Sequence, residues 1–119
     1  MSLPCIIPGC KASVPDELAS LGLCVSHCTL EIERQCTEMR LETARGTTMP
    51  ERREEIFRYI GQQGSLLARV ATGTPRLPDE IKARILSTFL TLMNLRENVE
   101  RAAARAAPPA PAGATPAKR

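Results

Sequence analysis

Two short stretches, CIIPGC at residues 5–10 and LGLCVSHC at residues 21–28, decide how the first third of this chain folds. Four side chains in them follow the pattern C-x4-C-x13-C-x2-H, namely Cys5, Cys10, Cys24 and His27. Thiolate and imidazole groups suit Zn²⁺, and four such ligands complete a closed tetrahedron. The spacing therefore predicts one structural zinc ion held by these four side chains.

Cys28 is an alternative fourth ligand, because it follows Cys24 by one helical turn. A helical wheel started at Cys24 favours His27 instead. On that wheel Cys28 falls within an apolar stripe, whereas His27 falls on the other side of Cys24. The sequence leaves open whether Cys28 replaces His27.

Three helices are predicted after the metal ligands. The first runs from about Ser26 to Arg45, and its buried stripe is Val25, Cys28, Ile32, Cys36 and Met39. The second starts with the capping box of residues 48–51, TMPE, and ends at Gly73. Its predicted buried face is Ile56, Tyr59, Ile60, Gln63, Leu66, Leu67 and Val70.

The third helix opens at residues 77–80, LPDE, and runs to about Arg105. One stripe along it is formed by Ile81, Ile85, Thr88, Leu92, Leu95 and Val99. Leu86, Leu90 and Met93 lie on one flank of this stripe, so the helix is apolar over much of its circumference. We expect those three side chains to contact a partner, either a second copy of the protein or another helical protein. The alternative is a monomer in which the first two helices together cover them.

The predicted fold class is all-α, with an N-terminal zinc knuckle, a three-helix bundle containing a long helical hairpin, and a disordered C-terminal tail. Residues 1–47 form the knuckle and first helix, and residues 48–106 form the hairpin. Residues 107–119, APPAPAGATPAKR, are rich in Pro and Ala and are predicted to be disordered.

Five cysteines cannot all pair in disulfides, and the chain shows no signal peptide and no apolar run of the length that spans a bilayer. We therefore expect a cytoplasmic protein without membrane association, in which clustered cysteines bind metal.

The N-terminal pattern resembles the zinc knuckles and treble-clef-like modules of small bacterial and phage proteins. Those modules read C-x4-C, then a loop, then G-L-C-x-x-H leading into a helix. The matching residues here are Cys5, Cys10, residues 22–24 (GLC) and His27, so the resemblance covers about residues 5–30. It implies a zinc ion and a helix that starts at the second ligand pair.

Many proteins with such modules bind nucleic acid through a basic helix that follows the ligands. Here residues 29–34 of that helix read TLEIER, which holds more acid than base. Residues 1–47 carry four basic and six acidic side chains, a net charge of −2, and residues 48–119 carry the other 12 and 7, a net charge of +5. Phosphate contacts dominate nucleic-acid affinity, so this charge distribution argues against the knuckle as a nucleic-acid site.

Catalysis is not expected, because four protein ligands leave no position for an activated water and the chain has a single histidine. The preferred function is a non-enzymatic, zinc-stabilised interaction or regulatory module, acting as a homodimer or with a helical protein partner. The alternative is a small nucleic-acid-associated regulator that uses the arginines of the second helix.

Overall fold

A computed structural model describes residues 3–46, 48–74 and 76–106. Helix α1 spans Val25–Ala44, α2 spans Pro50–Gly73 and α3 spans Asp79–Ala106. The predicted all-α class is confirmed, and the predicted helix ends agree with the structure to within about two residues. The predicted disordered tail, residues 107–119, lies outside the described residues.

The apolar stripes predicted for the helices form the core. All five stripe residues of α1 are buried, and α3 buries five of its six, with Ile81 half-buried. On α2 the buried side chains are Ile56, Ile60, Leu67 and Val70, while Tyr59, Gln63 and Leu66 are half-buried at the edge of the predicted face.

The capping box predicted at the start of α2 is wrong. Met49, in an extended conformation, is the residue that caps α2, and no side-chain hydrogen bond caps the helix. Thr48 instead donates its hydroxyl to the Glu42 carbonyl near the end of α1, 3.4 Å away. Pro50 in the first helical position is the part of the start signal that the structure retains.

The three helices alternate in direction, so that α1 and α3 run parallel. Glu33 of α1 meets Thr88 of α3, and farther along both helices Thr43 and Ala102 line the same small cavity. Helix α2 runs the opposite way and forms the predicted hairpin with α3. At its start, Arg52 forms an ion pair with Glu42 of α1 at 2.8 Å.

Residues 3–24, which we call the knuckle, cover one end of the bundle. Two short antiparallel strands, β1 (Leu3–Pro4) and β2 (Ser13–Val14), pair in the register Leu3 with Val14. A single turn of 3₁₀ helix follows at Asp16–Leu18. Neither strand was predicted from the sequence. Val14 and Leu18 are buried in the same hydrophobic core as the helices, so apolar packing joins the knuckle to the bundle.

Candidate metal centre

The hairpin between β1 and β2 carries the first pair of thiols. The Cys5 N–H donates to the Ala12 carbonyl at 3.1 Å, and the Cys10 N–H donates to the Ile7 carbonyl at 3.0 Å. The second bond closes a type II β-turn, because Pro8 fixes φ near −65° and Gly9 follows with φ +83°. This turn reverses the chain between the two cysteines and brings Cys10 back towards Cys5.

The start of α1 carries the second pair of ligand groups. Cys24 is the extended residue that precedes the helix, with φ −71° and ψ 168°, and its carbonyl accepts the helical hydrogen bond from the Cys28 N–H at 2.9 Å. His27 lies three residues later in the first turn, and residues three apart lie on one face of a helix. Both side chains therefore point towards the hairpin.

One backbone hydrogen bond joins the hairpin to the segment that leads into α1. The Ile6 N–H donates to the Gly22 carbonyl at 2.9 Å. Gly22 has φ +70°, and a Cβ at this position would lie 2.8 Å from Cγ2 of Ile6. Only glycine meets both demands without strain, which gives the Gly22 of the GLC motif a structural reason.

The four predicted ligands meet at this junction. The ligand atoms of Cys5, Cys10, Cys24 and His27 all lie within 4.8 Å of one another. Nδ1 of His27 is 3.2 Å from Cys24 Sγ and 3.4 Å from Cys5 Sγ, and the Sγ atoms of Cys10 and Cys24 are 3.9 Å apart. Around a tetrahedral zinc ion, S–N pairs are separated by about 3.6 Å and S–S pairs by about 3.8 Å. The group could therefore hold a metal ion without a large rearrangement.

Burial shields the group on one side. Cys5 and Cys24 are buried, whereas Cys10 and His27 are half-buried. A bound ion would thus be enclosed by the core on one side and would be reached from the side of Cys10 and His27.

The protonation of the thiols is uneven. Burial opposes ionisation of Cys5, but hydrogen bonds from the backbone N–H groups of Cys24 and Ile7, and then from the Cys10 and Cys24 thiols, lower the pKa of Cys5 to about 6. Burial raises the pKa of Cys24; the His27 N–H opposes that rise, and the charge on Cys5 adds to it. The Cys5 thiolate thus opposes ionisation of Cys24, and a cation bound between the two sulfurs would offset their repulsion.

The remaining cysteines are core residues. Cys28 and Cys36 are both buried on the apolar stripe of α1, and burial raises the pKa of each thiol, that of Cys36 to about 11. Cys28 is not among the residues that the structure groups as possible metal ligands. The geometry therefore favours His27 over Cys28 in the choice that the sequence left open.

The predicted partner-binding side chains lie elsewhere, on the outer side of α3. Leu86 is 61% exposed, Leu90 57% and Met93 41%. We call these three side chains the α3 face. Sequence reasoning included Gly22 only as part of the GLC motif and missed its partner Ile6, whose N–H bond to Gly22 aligns the two ligand pairs. No local pattern marks Ile6 for this role.

No family model, curated protein or solved structure matches this chain. Within residues 3–46, 48–74 and 76–106, none of the helices combines the length and the apolar character needed to cross a bilayer.

Proposed function

We propose that the protein is a non-enzymatic interaction module, in which one structural Zn²⁺ secures the N-terminal knuckle and the α3 face binds a protein partner. The observation that carries the proposal is the exposure of three large apolar side chains in one row on α3. A row of this kind on a small protein marks an interaction surface more often than single exposed leucines do.

Zinc is the metal that suits this group. Three thiols and one imidazole are soft donors, and their separations match a tetrahedron. A β-hairpin with two cysteines facing a helix start with two further ligands is also the arrangement expected of a treble-clef-like zinc knuckle. This observation supports the resemblance proposed from the CIIPGC and GLCVSH motifs.

The lack of an open coordination position supports a structural role for the metal. Four protein ligands would fill a tetrahedral ion, so no water could be bound and activated. The only histidine of the chain is one of those ligands, which leaves no imidazole for general base catalysis.

Two arginines of the bundle already have carboxylate partners, which favours a protein partner over a nucleic acid. Arg52 is held between Glu42 and Glu55, and Arg34 between Glu31 and Glu38. Each of these two guanidinium groups would have to exchange carboxylates for phosphates, which lowers its contribution to nucleic-acid affinity. We expect oligonucleotide binding to be weak, to disappear between 50 and 200 mM salt, and to involve residues 48–119. A fluorescence titration at both salt concentrations tests this, and tight binding at 200 mM salt would favour the nucleic-acid alternative.

We assign the protein to the reducing cytoplasm. All five cysteines are free thiols, and a reducing compartment keeps thiols available for a metal.

Cobalt substitution tests the metal centre. We expect one Co²⁺ per chain with the visible spectrum of a tetrahedral S₃N site, and displacement by one equivalent of Zn²⁺. A spectrum of S₄ type would make Cys28 the fourth ligand. Reduced protein that takes up no cobalt would refute the site.

Leu90→Glu tests the α3 face. Its matched control is Leu41→Glu, because Leu41 is 56% exposed on α1 and almost as accessible as Leu90. We expect wild type and the Leu41→Glu variant to associate in light scattering or to bind an apolar dye, and the Leu90→Glu variant to do neither. Equal behaviour of the two variants would contradict the proposed surface.

A further inference from the structure

The α3 face lies directly opposite the part of α3 that enters the core. Leu92 is fully buried and is turned by about 200° from Leu90 around the helix. Leu90 therefore points away from α1 and α2, and neither helix can cover it.

We infer that the α3 face binds the α3 face of a second copy of this chain, with the two helices antiparallel and a two-fold axis beside Leu90. This inference rests on the proposed function and names the partner. A two-fold axis at Leu90 sets Leu86 of one copy against Met93 of the other, because these residues lie four positions before and three positions after it. The apolar centre of such an interface is self-complementary.

The charged residues at the two ends of the α3 face decide whether the two α3 helices run parallel or antiparallel. Lys82 and Asp79 precede the face, Glu97 and Arg101 follow it, and all four are exposed. In an antiparallel pair the axis at Leu90 brings Lys82 near Glu97 of the other copy, since they lie eight and seven residues from it, about 12 and 10 Å along the helix.

The outer pair of charged residues is also complementary in the antiparallel arrangement. Asp79 and Arg101 are each eleven residues from Leu90, so the antiparallel arrangement opposes their charges as well. A parallel arrangement would set each charge beside its own copy and create only like-charge pairs. Each charged residue before the apolar row thus has a residue of opposite charge at the matching distance after it, which fits an antiparallel partner of identical sequence.

An ion pair within the helix does not block this contact. Arg101 binds Glu97 at 3.1 Å, with 66% and 60% of the two side chains exposed. A carboxylate accepts from several donors, so Glu97 can keep Arg101 and also accept from Lys82 of the other copy.

The outer surface of α1 lacks this pattern. Its exposed leucines, Leu30 and Leu41, are separated by a cluster of ion pairs in which Arg34 binds Glu31 and Glu38. No continuous apolar row forms there, so we assign the self-contact to α3.

Charge exchange on α3 tests the arrangement. The variants are Lys82→Glu, Glu97→Lys and the double variant, with Glu54→Lys as a control that makes the same charge change at an exposed site on α2. Sedimentation velocity at about 50 mM salt and from 1 to 500 µM protein gives the dimer dissociation constant. Each single variant replaces two attractive contacts by two repulsive ones, so we expect it to raise the constant about tenfold or more.

The double variant restores two opposite-charge contacts, and we expect it to return to within about threefold of wild type. Glu54→Lys should leave the constant unchanged. Single variants in a parallel dimer would replace one like-charge pair by another and would have little effect.

Other outcomes separate this inference from the proposed function. A dimer that is lost with Leu90→Glu but ignores the charge variants would overturn the antiparallel register and leave the α3 face as an interaction surface. A wild-type monomer whose dye binding disappears with Leu90→Glu would exclude a second copy as the partner. A monomer that binds no dye would refute both.

Discussion

The knuckle and the bundle use apolar side chains in opposite ways. Residues 3–24 expose most of their large apolar side chains, namely Leu3, Ile6, Ile7 and Leu21, and bury Leu18 and Val14. The helices bury a larger share of theirs in one continuous core. Their exposed large apolar side chains are Leu30 and Leu41 on α1 and the three of the α3 face. A segment of this size buries too little surface to fold by apolar packing alone. The comparison therefore predicts that a bound metal stabilises the knuckle, whereas buried apolar side chains stabilise the bundle.

Metal removal should give the largest difference between the two regions. Structural zinc binding amounts to about 10–16 kcal/mol in small zinc-binding peptides, which exceeds any single contact in the bundle. With chelator we expect the amides of Cys5, Ile6 and Cys10 to lose protection from hydrogen exchange, while the buried turns of α2 and α3 keep theirs. Cys10→Ser should act like the chelator.

Cys36→Ser is the control for that experiment, because it makes the same atomic change in the bundle core. It should retain one metal ion per chain. Equal protection of the knuckle amides with and without chelator would show that the two regions are not stabilised differently.

Leu92→Ala should have the next largest effect. The side chain is fully buried between helices, and such truncations cost about 2–5 kcal/mol in the free energy of unfolding. Leu30→Ala makes the same change at an exposed position of α1 and should cost less than about 0.5 kcal/mol. Urea unfolding followed by circular dichroism measures both. Similar losses for the two variants would mean that the bundle core is not where the structure indicates.

Thr88→Val should have a smaller effect on the α1–α3 contact. The Thr88 hydroxyl is fully buried, 2.9 Å from the Glu33 carboxylate and 2.9 Å from the Arg84 carbonyl. Loss of the bond to Glu33 should cost about 1–2 kcal/mol, because the carboxylate loses a buried partner. Thr91→Val is the control, since its hydroxyl bonds only within α3, to the Ser87 carbonyl. A larger loss for Thr91→Val would argue against the interhelical bond.

The bundle should lose stability at alkaline pH even without metal. Burial raises the pKa of Cys36 from 9.0 to about 11 in the folded state, so the unfolded chain releases this proton first and stability falls as the pH rises from 9 to about 11. Urea unfolding followed by circular dichroism at about pH 7, 9 and 10.5 measures the trend. Cys36→Ala should remove it, and an unchanged slope in that variant would contradict the assignment.

The helices and the ligand group could be predicted from the sequence because both depend on local spacing. The stripe from Val25 to Met39 has the period of a helix, and the spacing C-x4-C with C-x2-H singles out the four side chains that the structure brings together. The strands Leu3–Pro4 and Ser13–Val14 could not be predicted, because two residues are too few to show alternation.

Contacts between residues that are far apart in the sequence could not be predicted either. The residues that precede α2 fit a capping box, but the Glu42 carbonyl competes for the Thr48 hydroxyl once α1 and α2 are adjacent. The bond between Glu33 and Thr88 joins residues 55 positions apart. Such choices depend on how the helices pack, which no short window of sequence contains.

The parallel course of α1 and α3 has an electrostatic consequence at the knuckle end. Both helices begin there, and each helix start carries about half a positive charge. Asp79 and Glu80 occupy the first turn of α3, but the first turn of α1 contains no acidic residue. Three thiolates around a divalent cation would form a complex with a net charge of −1, which would supply the missing anion at α1. Two thiolates and two imidazoles would give a neutral complex and forgo that attraction, so three cysteines and one histidine suit a site built on this helix start.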